Sequence, residues 1–360
     1  MLDPRVKRLA EILVDQCTEV NQGETVQILS YSELAKPLVV EIYRRLLQRD
    51  AGEIITDVQF EETRELLLGE ASDERLAMFP TLKMHLAEHT DVYIQILASV
   101  NTKLLSGIDP ARVARWRSSD ARVRAYLTDN TRWVVTLYPT PGAAQDAEMS
   151  TAEYEDFVYG AVDQDWEQLA RSQAGLKELL DAGGEVVIRG EDTELTMRVD
   201  GRTFISADGK LNMPDGEVFT GPVENSVEGH IAFSYPAIYP AFGGREVDGV
   251  HLWFEDGRVA KATATKGEDY LLALLDMDGG SRYVGELGLG SNYRIDRFIK
   301  NILFDEKIGG TVHVALGRGY PQTGSKNESG LHWDMIKDLR DGGEIYLDGT
   351  LIQKDGQWVY

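Results

Sequence analysis

The chain has 360 residues, 42% of them hydrophobic and 27% charged, with 60 acidic against 37 basic side chains for a net charge of -23. That length suits two ordinary domains with substantial cores and excludes a miniature held together by disulfides. No apolar run approaches the roughly 20 residues of a membrane helix, and so acidic a surface repels phosphate backbones and anionic headgroups, so neither nucleic acid nor membrane is expected as a partner.

At the N-terminus Val6, Leu9, Ala10, Leu13, Val14 and Cys17 recur at threes and fours, predicting an amphipathic helix with Asp3 as its cap and Pro4 in the first turn. Cys17, the single cysteine, lies on the apolar stripe and is assigned to the core. A lone cysteine, together with an opening rich in charge (Asp3, Arg5, Lys7, Arg8), leads to the expectation of a cytoplasmic protein. Short apolar runs then alternate with helical patterns: TVQILSY at 25–31, a helix from about Glu33 to Gln48, EIITDVQF at 53–60, DVYIQILA at 91–98 and TRWVVTLYP at 131–139. Strand and helix in repeated order predict a mostly parallel sheet. No Gly-x-Gly-x-x-Gly follows these strands, which disfavours a dinucleotide cofactor.

A helical region over about Thr151–Leu180 ends at Asp181-Ala182-Gly183-Gly184, and the domain boundary is placed there. Beyond it lie short runs such as EVVIRG, GEVFTGP, GHIAFSYP, TVHVALG and EIYLDGTLIQ, separated by Asp-Gly and Gly-Gly pairs that favour tight hairpins. One helix, about Glu268 to Leu275, interrupts them. The expectation is an α/β domain over 1–180, followed by a β-rich α+β domain that binds metal over 181–360.

Two motifs need weighing. His85-Leu86-Ala87-Glu88-His89 fits an inverted zinc-protease pattern, but five residues in so charged a region more simply present two solvated histidines. Gly285-Glu286-Leu287-Gly288-Leu289-Gly290-Ser291-Asn292 has the wrong spacing for a phosphate loop, and its Glu286 would repel phosphate; it is read as a turn offering an acid to a metal.

The richest stretch runs from Lys210 to Asp334 and contains Glu217, Glu286, Glu306, His313, His332 and Asp334. Zinc, cobalt and manganese accept mixed imidazole and carboxylate ligands, and four carboxylates balance two divalent ions. His332 and Asp334, two apart in a strand-like run, would project from one face. His313 would share a strand face with Thr311 and Ala315, small neighbours that leave room for an imidazole.

Four local words in order now carry a resemblance: Asn212-Met213-Pro214-Asp215-Gly216-Glu217-Val218-Phe219-Thr220; Gly285-Glu286-Leu287-Gly288; Asp305-Glu306 followed by His313-Val314-Ala315-Leu316-Gly317 and Tyr320; and His332-Trp333-Asp334-Met335. With them the chain resembles the M29 family of metallo-aminopeptidases, more weakly through its first half. The resemblance implies a cytoplasmic, homodimeric exopeptidase that holds two divalent metals (Zn, Co or Mn) and releases residues from peptides with a free N-terminus. It further implies Glu217, Glu286, Glu306, His313, His332 and Asp334 as metal ligands, with Glu286 as the bridge and Tyr320 as the active-site tyrosine. Glu217 or Glu306 would then carry a proton to the leaving amine, and Tyr320 would donate to the oxyanion. The chain is shorter than many members, with a compressed Tyr320–His332 segment, and Lys307, Ile308, Gly309 and Gly310 widen the spacing from Glu306 to His313. Two other classes compete: a non-catalytic protein stabilised by metal that binds peptides or small molecules, and a sensor or transferase built on the α/β half.

Overall fold

The computed structural model describes residues 3–239 and 244–360. They fall into two compact units, the first running through Gln164 and including Gly209–Asp215, the second comprising Asp165–Asp208, Gly216–Tyr239 and Glu246–Tyr360. The helix Trp166–Asp181, ahead of the division expected at 180/181, is grouped with the second unit.

In the first unit the helix Pro4–Glu11 starts where expected: the Arg5 amide donates to Asp3 Oδ1 at 2.8 Å and Pro4 occupies the first turn. It continues as a wider π-helical stretch, Ile12–Cys17, burying Ile12, Leu13, Val14 and Cys17. Burial pushes the Cys17 thiol up, so it packs as a small hydrophobe. Five parallel strands follow in the spatial order Ile54–Val58, Val26–Ser30, Val92–Leu97, Arg132–Leu137 and Asn212–Met213. Val26–Ser30 is buried at every residue, as the interior of a parallel sheet demands. The helical region expected over Thr151–Leu180 is two helices. Thr151–Val162 begins with a reciprocal Ser150/Glu153 capping box, and Trp166–Asp181 restarts where Asp165 accepts the Gln168 amide at 2.9 Å. No described helix is long and apolar enough to cross a membrane.

The second unit's described residues include two large antiparallel sheets. One has eight strands in the order Arg258–Thr263, His251–Glu255, Glu228–Ala232, Thr193–Arg198, Glu185–Gly190, Glu344–Leu347, Thr350–Lys354 and Gln357–Trp358. Three of the Asp-Gly pairs behave as read: Asp256-Gly257, Asp348-Gly349 and Asp355-Gly356 all take positive φ at both residues and close two-residue hairpins. The helix Glu268–Leu275 is present. The other sheet has five strands, in the order His332–Asp338, Thr311–Gly317, Val284–Gly290, Glu217–Thr220 and Ile205–Ala207.

One expectation is overturned here: Gly285–Gly290 is strand, not turn. Its glycines serve close packing. A Cβ at Gly285 would stand 2.3 Å from the Gly317 carbonyl oxygen, and one at Gly290 2.1 Å from that of Ile308.

The segment leading into His332–Asp338 is fixed by Asp278, whose carboxylate accepts the Gly330 and Gly280 amides at 2.8 and 2.9 Å and the Ser329 hydroxyl at 2.8 Å. Burial works to raise the Asp278 pKa, but these donors outweigh it and hold the carboxyl below its ordinary value. A depressed pKa in the folded state means stability that is present above the unfolded carboxylate value and lost as pH falls through the folded one. Asp278→Ala should therefore lower unfolding stability in urea by about 1 kcal/mol at neutral pH, allowing for its solvent exposure. The difference should shrink below about pH 4. Equal midpoints at neutral pH would contradict the clamp.

Candidate metal centre

The register of the five-stranded sheet decides which side chains meet. Glu286 lies opposite Ala315, which lies opposite Asp334; Gly288 lies opposite both His313 and Phe219; Glu217 lies opposite Gly290, and His332 opposite Gly317. Cross-strand partners point to the same side. Glu217, Phe219, Glu286, His313, His332 and Asp334 therefore share one face.

On that face the Glu286 carboxylate spans two imidazoles: Oε1 is 3.3 Å from His313 Nε2 and Oε2 is 3.4 Å from His332 Nε2. Glu217 Oε2 is also 3.3 Å from His313 Nε2, and Asp334 Oδ1 is 3.5 Å from His332 Nε2. Both rings are oriented from behind, because Nδ1 of His313 donates to the Glu306 carbonyl at 3.0 Å and Nδ1 of His332 to the Arg318 carbonyl at 2.7 Å. A carbonyl only accepts, so each ring turns Nε2 toward the carboxylates, the arrangement metal-binding histidines adopt.

The donors form two converging sets, Glu217 with Glu286 and His313, and Glu286 with His332 and Asp334, each set's ligand atoms within 4.8 Å of one another. Glu286 belongs to both and Glu306 to neither. Glu217 Oε2 is buried and makes no hydrogen bond, His313 Nε2 approaching it only as a charge contact, which leaves a lone pair that a cation would satisfy. The donor chemistry, carboxylate and imidazole together, fits zinc, cobalt or manganese.

Titration follows from crowding. Burial pushes the Glu217, Glu286 and Glu306 carboxyls up. Burial also opposes charge on both imidazoles, but the Glu286 and Glu217 contacts raise His313 to about 10, and Asp334 and Glu286 raise His332 to about 10. Asp334 falls to about 2, burial being overcome by the charge and hydrogen bond of His332.

Other residues build the site without having been legible as part of it. Room for the His313 ring comes from the neighbouring strand, not from Thr311 and Ala315: a Cβ at Gly288 would stand 1.9 Å from the imidazole Cε1. Gln173, buried on the helix Trp166–Asp181, donates from Nε2 to the Glu217 and Ala207 carbonyls at 3.1 Å and to Ser291 Oγ at 2.9 Å, fixing the strand that carries Glu217. Lys307 is fully buried, with Nζ 3.4 Å from Glu217 Oε1 and in direct contact with Glu306. Tyr320 packs its ring 5.4 Å from both Phe219 and His332 and is 42% exposed, at the rim. His85 and His89 sit at the end of the helix Thr81–Ala87, exposed, with rings 4.4 Å apart, and join no group of three metal donors among the described residues.

Comparison with known proteins agrees over the whole length. The family model described as thermophilic metalloprotease (M29) matches residues 2–358. Aminopeptidase AmpS of Bacillus subtilis is 25% identical over 417 aligned positions, covering 99% of this chain and 98% of that one. The structure of wild-type AmpT from Thermus thermophilus superposes with a TM-score of 0.87 at 24% identity, covering all of both chains. The same fold occurs in a 2,5-dihydroxypyridine dioxygenase of Pseudomonas putida, with a TM-score of 0.60 and 14% identity over 98% of this chain and 96% of that one. Fold alone therefore does not fix the chemistry.

Two outcomes follow from the site's geometry. Near neutral pH, below both values of about 10, His313 and His332 are protonated in the chain without metal, and a metal held through their Nε2 atoms would require them neutral. Metal affinity should rise with pH, and calorimetry in buffers of different ionisation heat should count about two protons released per chain; zero release would contradict the assignment. Gly288→Ala should displace the buried His313 ring and weaken metal binding about tenfold or more, as loss of ring orientation does. Unchanged affinity would show that the ring has other room.

Proposed function

Since the chain belongs to the thermophilic metalloprotease (M29) family and is by that membership a peptide-bond hydrolase, we propose that it is a metal-dependent aminopeptidase whose two donor sets hold a pair of divalent ions. The observation that carries this reading is Glu286, one buried carboxylate with an oxygen toward each imidazole. Glu217 and His313 would complete one set, His332 and Asp334 the other. Bound there, divalent ions supply Lewis acidity toward a carbonyl oxygen and a water acidified toward neutrality.

The remaining work falls to the chain's own side chains. Partial burial of the phenol at the rim, together with the charges of Glu286, Asp334, Glu306 and Glu217, pushes the Tyr320 pKa well above its ordinary value. Its hydroxyl therefore keeps its proton across the neutral range and can donate to an oxyanion at the scissile carbon. The excess of carboxylates attracts a substrate ammonium group, which restricts cleavage to free chain ends. Of the two carboxylates that could carry a proton to the leaving amine, Glu217 is committed to a donor set, and Glu306 is the one left for that task. A cytoplasmic homodimer is proposed from the family resemblance alone.

The test is a panel of peptides with free and acetylated N-termini, offered to the chelated protein before and after Zn²⁺, Co²⁺ or Mn²⁺ is restored. Cleavage should return with metal and only for free amines. Tyr320→Phe should lower turnover about a hundredfold with metal content unchanged, the loss typical of one oxyanion donor. Tight metal with no cleavage of any peptide would place the chain among binding proteins, and full turnover in Tyr320→Phe would remove the tyrosine from the mechanism.

A further inference from the structure

A fully buried lysine must keep anionic partners to offset its lost hydration. Lys307, with none of its side chain exposed, takes two partners from the candidate centre: Nζ lies 3.4 Å from Glu217 Oε1 and contacts Glu306 Oε1 directly. Its backbone is pinned, because the Lys307 carbonyl accepts the amide of the buried Asn292 at 3.1 Å. The two carboxylates differ in what the contact leaves over. Glu217 meets the ammonium with one oxygen and turns the other toward His313, whereas Glu306 stands outside both converging donor sets. Glu306 reaches the centre through its main chain, its carbonyl orienting the His313 ring at 3.0 Å.

Resting on the two-metal reading, we propose that Lys307 is a positioning residue: a built-in cation that holds the Glu306 carboxylate out of metal coordination, so that the centre uses five protein ligands and keeps Glu306 free to handle protons. The ammonium also offsets part of the charge of Glu217, so it competes with divalent ions for the carboxylates on its side of the face. A lysine retained only for packing would do neither.

The two roles predict opposite signs. Lys307→Met keeps most of the stem and removes the charge. It should strengthen zinc binding about tenfold or more, since a unit charge a few ångströms from the ligands is lost, while turnover falls because Glu306 is drawn to the metal. Damage to packing alone would weaken zinc binding. Glu306→Gln should hold zinc within about threefold of the unmodified chain and lose turnover, and His313→Ala serves as the variant that removes a ligand. All four chains, stripped with chelator, would be titrated with Zn²⁺ against a chromophoric chelator. Weaker zinc binding in Lys307→Met, or a loss in Glu306→Gln as large as in His313→Ala, would overturn the proposal. If the unmodified chain and His313→Ala bound zinc equally poorly, the metal-centre reading itself would fall, and this inference with it.

Discussion

Buried negative charge is the constraint on which the second unit depends. Glu217, Glu286, Glu306 and Asp334 are gathered on and beside one sheet face where little water can reach them, and burial presses all four carboxyls toward protonation, prevailing in every one but Asp334. Without metal the compensation is supplied by Lys307 and by two imidazoles whose proton affinity the carboxylates have raised. Four carboxylates then face three cations, which is close to balance. On the proposed reading, divalent ions in place of the imidazole protons would tip that balance toward positive charge, the sign a developing oxyanion needs. The same residues are thus tolerable in both states, which is why so many acids can be held together in a folded chain.

Geometry is secured by the backbone more than by side-chain packing. Antiparallel register sets the donors side by side, Gly288 leaves the space that the His313 ring fills, and two carbonyl acceptors turn both rings the same way. Gln173 ties the Glu217 strand to a helix, and Asp278 ties down the approach to His332. Each of these holds a candidate ligand in place without being one, as precise metal sites require. The fold is shared with a dioxygenase as well as with AmpT, so it is the match to the metalloprotease family, not the fold, that points to peptide hydrolysis.

Local patterning made the first half legible: period-two and period-3.6 runs identify the central strands and the capped N-terminal helix, because those elements are set by neighbours in sequence. The edge strand Asn212–Met213 was not legible, since two residues arriving from far along the chain carry no periodic signal. In the second half, His332 and Asp334 could be placed on one face from their spacing alone. The convergence of Glu217, Glu286 and His313 could not, because it depends on pairing between distant strands, and only the resemblance of short words brought them together. Glycines misled in one place and informed in another. In Asp256-Gly257 they mark a turn through positive φ, whereas in Gly285–Gly290 they mark close approach of a neighbouring strand and ring. Lys307 gave no signal, for a single lysine after Glu306 reads as solvated until its burial is seen.

The central claim is that two metal sites share Glu286. The most direct measurement is the metal-to-protein ratio, by elemental analysis, of chains stripped and reloaded with Zn²⁺ and then freed of excess, for the unmodified protein and for the single variants His313→Ala, His332→Ala and Glu286→Gln. Two ions in the unmodified chain, one in each histidine variant and none held in Glu286→Gln would establish the shared bridge. A single ion in the unmodified chain, or two retained by Glu286→Gln, would contradict it.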